Sequence, residues 1–161
     1  MTEGNYISEE KYTELLSYLP LVSMDFIIKN NSGKVLLGLR TNAPASNYWF
    51  VPGGRIRRME SFQDACERIT IMELGIKINI KDIEFIGVFQ HMYPDSSFSK
   101  KVGVHYISLG MKMNDLGINI DQLPDAQHKK YQWFGLDEIR NSKDVHERTK
   151  DFFDRAIGIR D

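Results

Sequence analysis

The chain has 161 residues, 42% of them hydrophobic and 27% charged, a balance that suits one soluble domain able to bury a core without disulfide or metal staples. With 21 Lys and Arg against 22 Asp and Glu the formal net charge is −1, which argues against nucleic-acid binding by bulk charge. The single cysteine, Cys66, excludes an internal disulfide and any cysteine-rich zinc site. No apolar run approaches the ~20 residues of a membrane span. The polar stretch from Met1 to Glu10 lacks the basic-then-apolar layout of a signal peptide. One cytoplasmic domain over residues 1–161, with no nucleic-acid or membrane partner, is expected.

Ser8 to Ser17 reads as a short helix with Ser8 as N-cap, stopped by Pro20. Leu21 to Lys29 reads as a strand with Ser23 and Asp25 on one face. The turn cluster Asn30-Asn31-Ser32-Gly33 joins it to a second strand, Lys34 to Arg40, as a hairpin. Thr41 to Asn47 is a polar loop, Tyr48 to Pro52 is extended, and Gly53-Gly54 ends that segment. Ser61 to Leu74 has helical period, with Phe62, Ala65, Cys66, Ile69 and Met72 on one stripe and Gly75 as the C-cap. Ile83 to His91 and Val102 to Met113 are strand-like, joined by a long polar segment, Tyr93 to Lys101, that is able to close over a site. Asp121 to Lys130 reads as a polar loop and Tyr131 to Leu136 as a short strand. A small helix starts at Leu136 to Arg140, and His146 to Ile157 reads as a terminal helix. Mixed strands with a central and a terminal helix predict an α+β fold, or an α/β/α sandwich.

From Gly54 onward the spacing is Gly54, five residues, Glu60, seven residues, Arg68, then Glu73-Leu74-Gly75-Ile76. Read alone, this is also an ordinary amphipathic helix after a Gly-Gly turn. It resembles the Nudix box, which carries glutamate where this chain has Ile69 and Met72, and an apolar residue where it has Thr70. Glutamates at positions 69, 72 and 73 would share one helical turn and hold several hard cations. With Glu73 alone, the helix suits a single Mg²⁺ completed by neutral oxygens, water and substrate phosphates.

The likeness extends beyond the box. It runs through Pro20 to Ile27, Leu37 to Asn42, Tyr48 to Arg55, Gly87-Val88-Phe89-Gln90-His91, His105-Tyr106, Leu123 to His128 and Tyr131-Gln132-Trp133. Over these stretches the chain is similar to the GDP-mannose mannosyl hydrolases, a Nudix subfamily that lacks two box glutamates. The resemblance implies a Nudix fold with a mixed β-sheet between helices, and a homodimer. It implies Mg²⁺-dependent hydrolysis of GDP-mannose, or GDP-glucose, to GDP and free hexose by C–O cleavage at C1 with inversion, Mn²⁺ serving as a substitute.

It also implies roles for particular residues. The metal would be held by the Gly53 carbonyl, Glu73 and the Gln127 side-chain oxygen, all hard donors. His128 would be the general base, an imidazole whose ordinary pKa of ~6.5 suits proton transfer near neutral pH. Arg40, Arg55 and Arg68 match the subfamily's functional arginines, and guanidinium groups grip phosphate oxygens bidentately. Tyr106 would donate to a diphosphate oxygen, Asp25 would recognise sugar hydroxyls, and His91 would hydrogen-bond substrate. Two alternatives stand beside this reading: a Nudix pyrophosphatase that cuts a P–O bond of a nucleoside diphosphate derivative, and a non-catalytic Nudix domain that binds nucleotide.

Overall fold

The alternation along Leu21–Lys29 (β1) sets the layering of the molecule. In the computed structural model, which describes residues 8–96, 101–114, 117–125 and 128–154, Met24, Phe26 and Ile28 point to one side of the sheet. There they join Leu36 of β2 (Val35–Arg40) and Met111 and Met113 of β6 (Val104–Asn114). This apolar layer is sealed by Ala65, Cys66, Ile69 and Leu74 of α2 (Phe62–Leu74). On the other side Ile27, Val35 and Leu37 pack with Trp49 of β3 (Trp49–Phe50), Phe89 of β5 (Glu84–Tyr93) and Phe134 of β7 (His128–Phe134). Ile139 of α3 (Leu136–Asn141) and Phe152, which follows α4 (Glu147–Asp151), cover that side. A mixed sheet with helices on both faces is the α/β/α arrangement expected from the sequence. No helix among the described residues is long and apolar enough to cross a membrane.

Strand β1 pairs in parallel with β6 over nine positions, from Leu21↔Tyr106 to Lys29↔Asn114, while the other pairs are antiparallel. The β1–β2 hairpin is closed by Asn30, whose Oδ1 accepts from the Ser32 and Lys34 amides at 3.0 Å, and by Gly33 at φ +73°. The two strands are in register only at Lys29↔Val35. Beyond it they diverge and the segment 49–55 lies between them. Its Trp49 and Phe50 pair with β2, and β4 (Gly53–Arg55) pairs with β1 at Ser23, Met24 and Asp25. Splaying a hairpin this way opens a cleft at the end where β1 carries Asp25 and β2 carries Arg40.

Helix α1 (Glu9–Leu16) is N-capped by Ser8 as expected, the serine accepting from the Lys11 amide at 3.3 Å. Helix α2 is capped by Ser61, and Gly75 ends it at φ +71°. Four expectations need correction. Phe62 and Met72 are not on the buried stripe: they are 59% and 44% exposed, because the stripe that meets the sheet is Ala65, Cys66 and Ile69. Gly53-Gly54 does not end the extended segment but forms β4, paired along β1. The polar loop ends early, since Ile120–Gln122 is a 3-10 turn and β7 starts at His128 rather than Tyr131. His146 is the N-cap of α4 rather than its first turn, its Nδ1 accepting from the Arg148 amide at 3.1 Å. The end of the terminal helix and the middle of the 93–101 segment lie outside the described residues.

Candidate active site

All seven strands contribute to one cleft at the splayed end of the sheet. Asp25 comes from β1, Arg40 from β2, Phe50 from β3, Gly53 and Arg55 from β4, His91 and Tyr93 from β5, Tyr106 from β6 and His128 from β7. Of the residues singled out in the sequence, this brings together Asp25, Arg40, Gly53, Arg55, His91, Tyr106 and His128. Gln127 lies outside the described residues.

Asp25 Oδ2 accepts hydrogen bonds from Ser23, at 2.7 Å, and from Ser108. Burial raises its pKa above the ordinary carboxylate value, opposed by the two serine hydroxyls and the positive charge of Arg40. The Arg40 guanidinium stands 5.3 Å from the centre of the Phe50 ring, and that of Arg55 5.1 Å from the Tyr12 ring of α1. Stacking on a ring face orients a guanidinium while leaving its edge N–H groups for an anion. Burial pushes the Tyr93 and Tyr106 phenols well above their ordinary range, so near neutral pH each keeps a proton to donate. His91 is buried, with its Nε2 unpartnered among the described residues and 3.9 Å from Asp151 Oδ2. Burial, helped by the positive charge of Arg148, lowers its pKa to about 4; the ring is neutral at pH 7.

Glu73 lies one layer behind the cleft. It is 2% exposed and its Oε2 is 2.9 Å from His128 Nε2. Which of the two groups donates in this contact depends on the imidazole tautomer, and the second ring nitrogen, Nδ1, is buried with no hydrogen-bond partner among the described residues. The ring fits because Gly38 faces it: a Cβ there would fall 2.5 Å from His128 Cγ. The Tyr131 hydroxyl, 3.0 Å from the Glu73 carbonyl and 3.1 Å from that of Pro124, ties the end of α2 to its surroundings.

Arg68 is not brought to the cleft. Its guanidinium forms a fork with Glu60 (Nε to Oε1 2.6 Å, Nη2 to Oε2 2.8 Å), and Nη2 also donates to the Arg55 carbonyl at 2.8 Å. Arg68 holds the Glu60 carboxyl below its usual range, and Glu60 in turn accepts from the Arg57 amide. The pair fastens the 55–60 loop to α2 and so fixes the backbone from which Arg55 projects. Sequence reasoning noted Glu60 for its spacing but assigned it no role; its partner only appears once the loop folds back on the helix.

Among the described residues no group of three or more His, Cys, Asp or Glu side chains is placed to hold a metal ion. Ile69, at one replaced box position, is buried in the apolar layer, and Met72, at the other, faces outward. Glu73 nevertheless keeps one buried oxygen, Oε1, with no hydrogen-bond partner. That is a hard anionic donor of the kind Mg²⁺ takes. Among the described residues Glu73 is the box carboxylate open to a divalent ion, with no cluster of acidic side chains beside it to gather several.

A family model for the NUDIX domain matches residues 19–156. The chain belongs to the Nudix family. It is 33% identical over 128 residues to the low-salt glycan biosynthesis protein Agl8 of Haloferax volcanii, covering 80% of this chain and 79% of that one. The fold is shared with a MutT protein from Methanosarcina mazei, at 21% identity and a TM-score of 0.67 over 86% of this chain and 94% of that chain. It is shared too with a bifunctional NMN adenylyltransferase/ADP ribose pyrophosphatase from Francisella tularensis, solved with AMP and a manganese ion. That likeness has 21% identity and a TM-score of 0.59, over 90% of this chain and 44% of that one. Within the Nudix fold, the box helix of this chain therefore contributes one buried carboxylate, and the strands contribute the remaining polar groups of the cleft.

Proposed function

We propose that this Nudix protein hydrolyses a GDP-hexose, GDP-mannose or GDP-glucose, to GDP and free hexose, breaking the C1–O bond with inversion. The observation that carries the reading is the cleft itself. Two ring-stacked arginines, a neutral tyrosine, a carboxylate and a histidine converge beside a lone box carboxylate. The name of the Haloferax relative, glycan biosynthesis, agrees with a sugar-bearing substrate. The reading includes one domain over the chain, a homodimer and a cytoplasmic setting.

Arg40 and Arg55 clamp the diphosphate, and their charge counts most as the leaving group gains negative charge. Tyr106 donates its phenolic proton to a diphosphate oxygen. Asp25 accepts from a sugar hydroxyl, and His91, neutral, hydrogen-bonds the same end of the substrate. His128 takes a proton from the attacking water, and Glu73 stabilises the imidazolium that results. Arg68 acts at one remove, by donating to the Arg55 carbonyl and by pairing with Glu60 of the same loop. Mg²⁺, or Mn²⁺, held by Glu73 with the Gly53 carbonyl and the Gln127 side chain, would supply charge neutralisation to the leaving diphosphate.

A water with little metal assistance is better matched to an anomeric carbon of oxocarbenium character than to an anionic phosphorus centre. A second reading, cleavage of a P–O bond, has the pyrophosphatase in the name of the Francisella neighbour in its favour. Incubation with GDP-mannose and Mg²⁺ separates them. GDP as the nucleotide product supports release of the hexose, with the broken bond then read from ¹⁸O incorporation, GMP supports the pyrophosphatase, and no product supports a binding domain.

A further inference from the structure

We propose that Ser23 and Ser108 are positioning residues. They load one oxygen of Asp25, Oδ2, and leave the other, Oδ1, as the acceptor for a sugar hydroxyl in the cleft. The proposal rests on the reading of Asp25 as the sugar-binding carboxylate.

On β1, Asp25 sits between two glycines, Gly53 of β4 on one side and Gly110 of β6 on the other. Neither lateral neighbour has a side chain able to donate to the carboxylate. The donors arrive along the strand and diagonally across it. Ser23, two residues earlier on the same face, donates to Oδ2 at 2.7 Å, and Ser108 donates to the same oxygen. Ser23 and Ser108 are register partners across the parallel β1–β6 pair, so their hydroxyls stand side by side. Both are buried, Ser108 completely.

Oδ1 takes no hydrogen bond among the described residues. It lies over Gly53, where a Cβ would collide with it, and Gly53 lines the cleft. A carboxylate present only to satisfy two buried serines would serve them as well with one hydroxyl on each oxygen. Two donors on Oδ2 instead fix the carboxylate plane and reserve the lone pairs of Oδ1. A carboxylate oxygen left without a partner calls for a donor, and a hexose offers hydroxyls there, whereas free GDP lacks the hexose and carries only its ribose hydroxyls.

The test compares wild type with Ser23→Ala, Ser108→Ala and Ser23→Thr, reading kcat and KM for GDP-mannose and Ki for GDP. Each alanine variant should lower kcat/KM for GDP-mannose by ~10-fold or more, the scale of a hydrogen bond to a charged group, with Ki for GDP unchanged. Ser23→Thr, which keeps the hydroxyl and suits a strand, should stay within about threefold of wild type on the same scale. In an Asp25→Asn background neither alanine should cost anything further. Unchanged kcat/KM in the alanine variants, or equal losses toward GDP and GDP-mannose, would overturn the proposal. If wild type does not act on GDP-mannose, the substrate reading fails by itself. The positioning claim is then decided without substrate by the ¹³Cγ resonance of Asp25, identified by its loss in Asp25→Asn. Each serine-to-alanine variant should shift that resonance, and no shift would refute the claim.

Discussion

On one face of β1, Met24, Phe26 and Ile28 are closed off under α2; on the other, Ser23 and Asp25 open into the cleft while Ile27, further along, is sealed again. The two faces differ in which element supplies charge. The α2 side is apolar down to Ile69 and yields a single carboxylate, Glu73, at the end of the helix. The cleft side collects Asp25, Arg40, Arg55, His91 and Tyr106, each from its own strand. A site whose charge is spread over separate strands, with one acid from the helix, has the means to bind a diphosphate and a sugar but few to gather several cations.

The largest effect that sharpens this contrast is at the seam between the two sides, where His128 meets Glu73. His128→Ala should lower kcat by ~10²–10⁴-fold while GDP affinity is retained. A loss smaller than about tenfold, with chemistry rate-limiting, would move the base to another residue.

The second test tries to give α2 the charge it lacks. Ile69→Glu puts a carboxylate into the apolar layer against Gly54, so the protein should lose roughly 2–5 kcal/mol of stability in urea unfolding or fail to fold. Met72→Glu, at an outward position, should stay within about 0.5 kcal/mol of wild type. Equal tolerance at both sites would contradict the apolar reading of the α2 face.

The third test uses pH. His91 titrates near 4 in the folded protein against an ordinary 6.5. Between those values the unfolded chain binds more protons, so stability is full above about pH 6.5 and falls as the pH drops toward 4. The contribution is at most about 3–4 kcal/mol. His146, also lowered to about 4 chiefly by burial, acts in the same direction. Urea midpoints at pH 7, 5.5 and 4.5 should therefore decline, and His91→Gln should flatten part of the decline. An identical slope in the variant would remove His91 from the account.

The apolar face was easier to read from sequence than the polar one, for physical reasons. The period of Ala65, Cys66 and Ile69, the Ser61 cap and Gly75 are local features, and α2 forms where they indicate. Asp25 beside Ser23 shows on β1 by strand alternation alone. Ser108 does not, because its link to Asp25 depends on β6 pairing in parallel with β1, 83 residues away in the chain. Strand β4 escaped because two glycines read as a break, whereas Gly53 is accommodated beside the Asp25 carboxylate for want of a side chain. Arg68 matched a motif position, but only the folded 55–60 loop shows its guanidinium committed to Glu60.

The central claim is that water attacks the sugar carbon and not phosphorus, and hydrolysis of α-GDP-mannose in ¹⁸O-labelled water with Mg²⁺ tests it most directly. The account predicts label in mannose and none in GDP, with the β anomer seen first by proton NMR ahead of mutarotation. Label in the β-phosphate of GDP, or GMP as the nucleotide product, would mean that phosphorus was attacked and would contradict it.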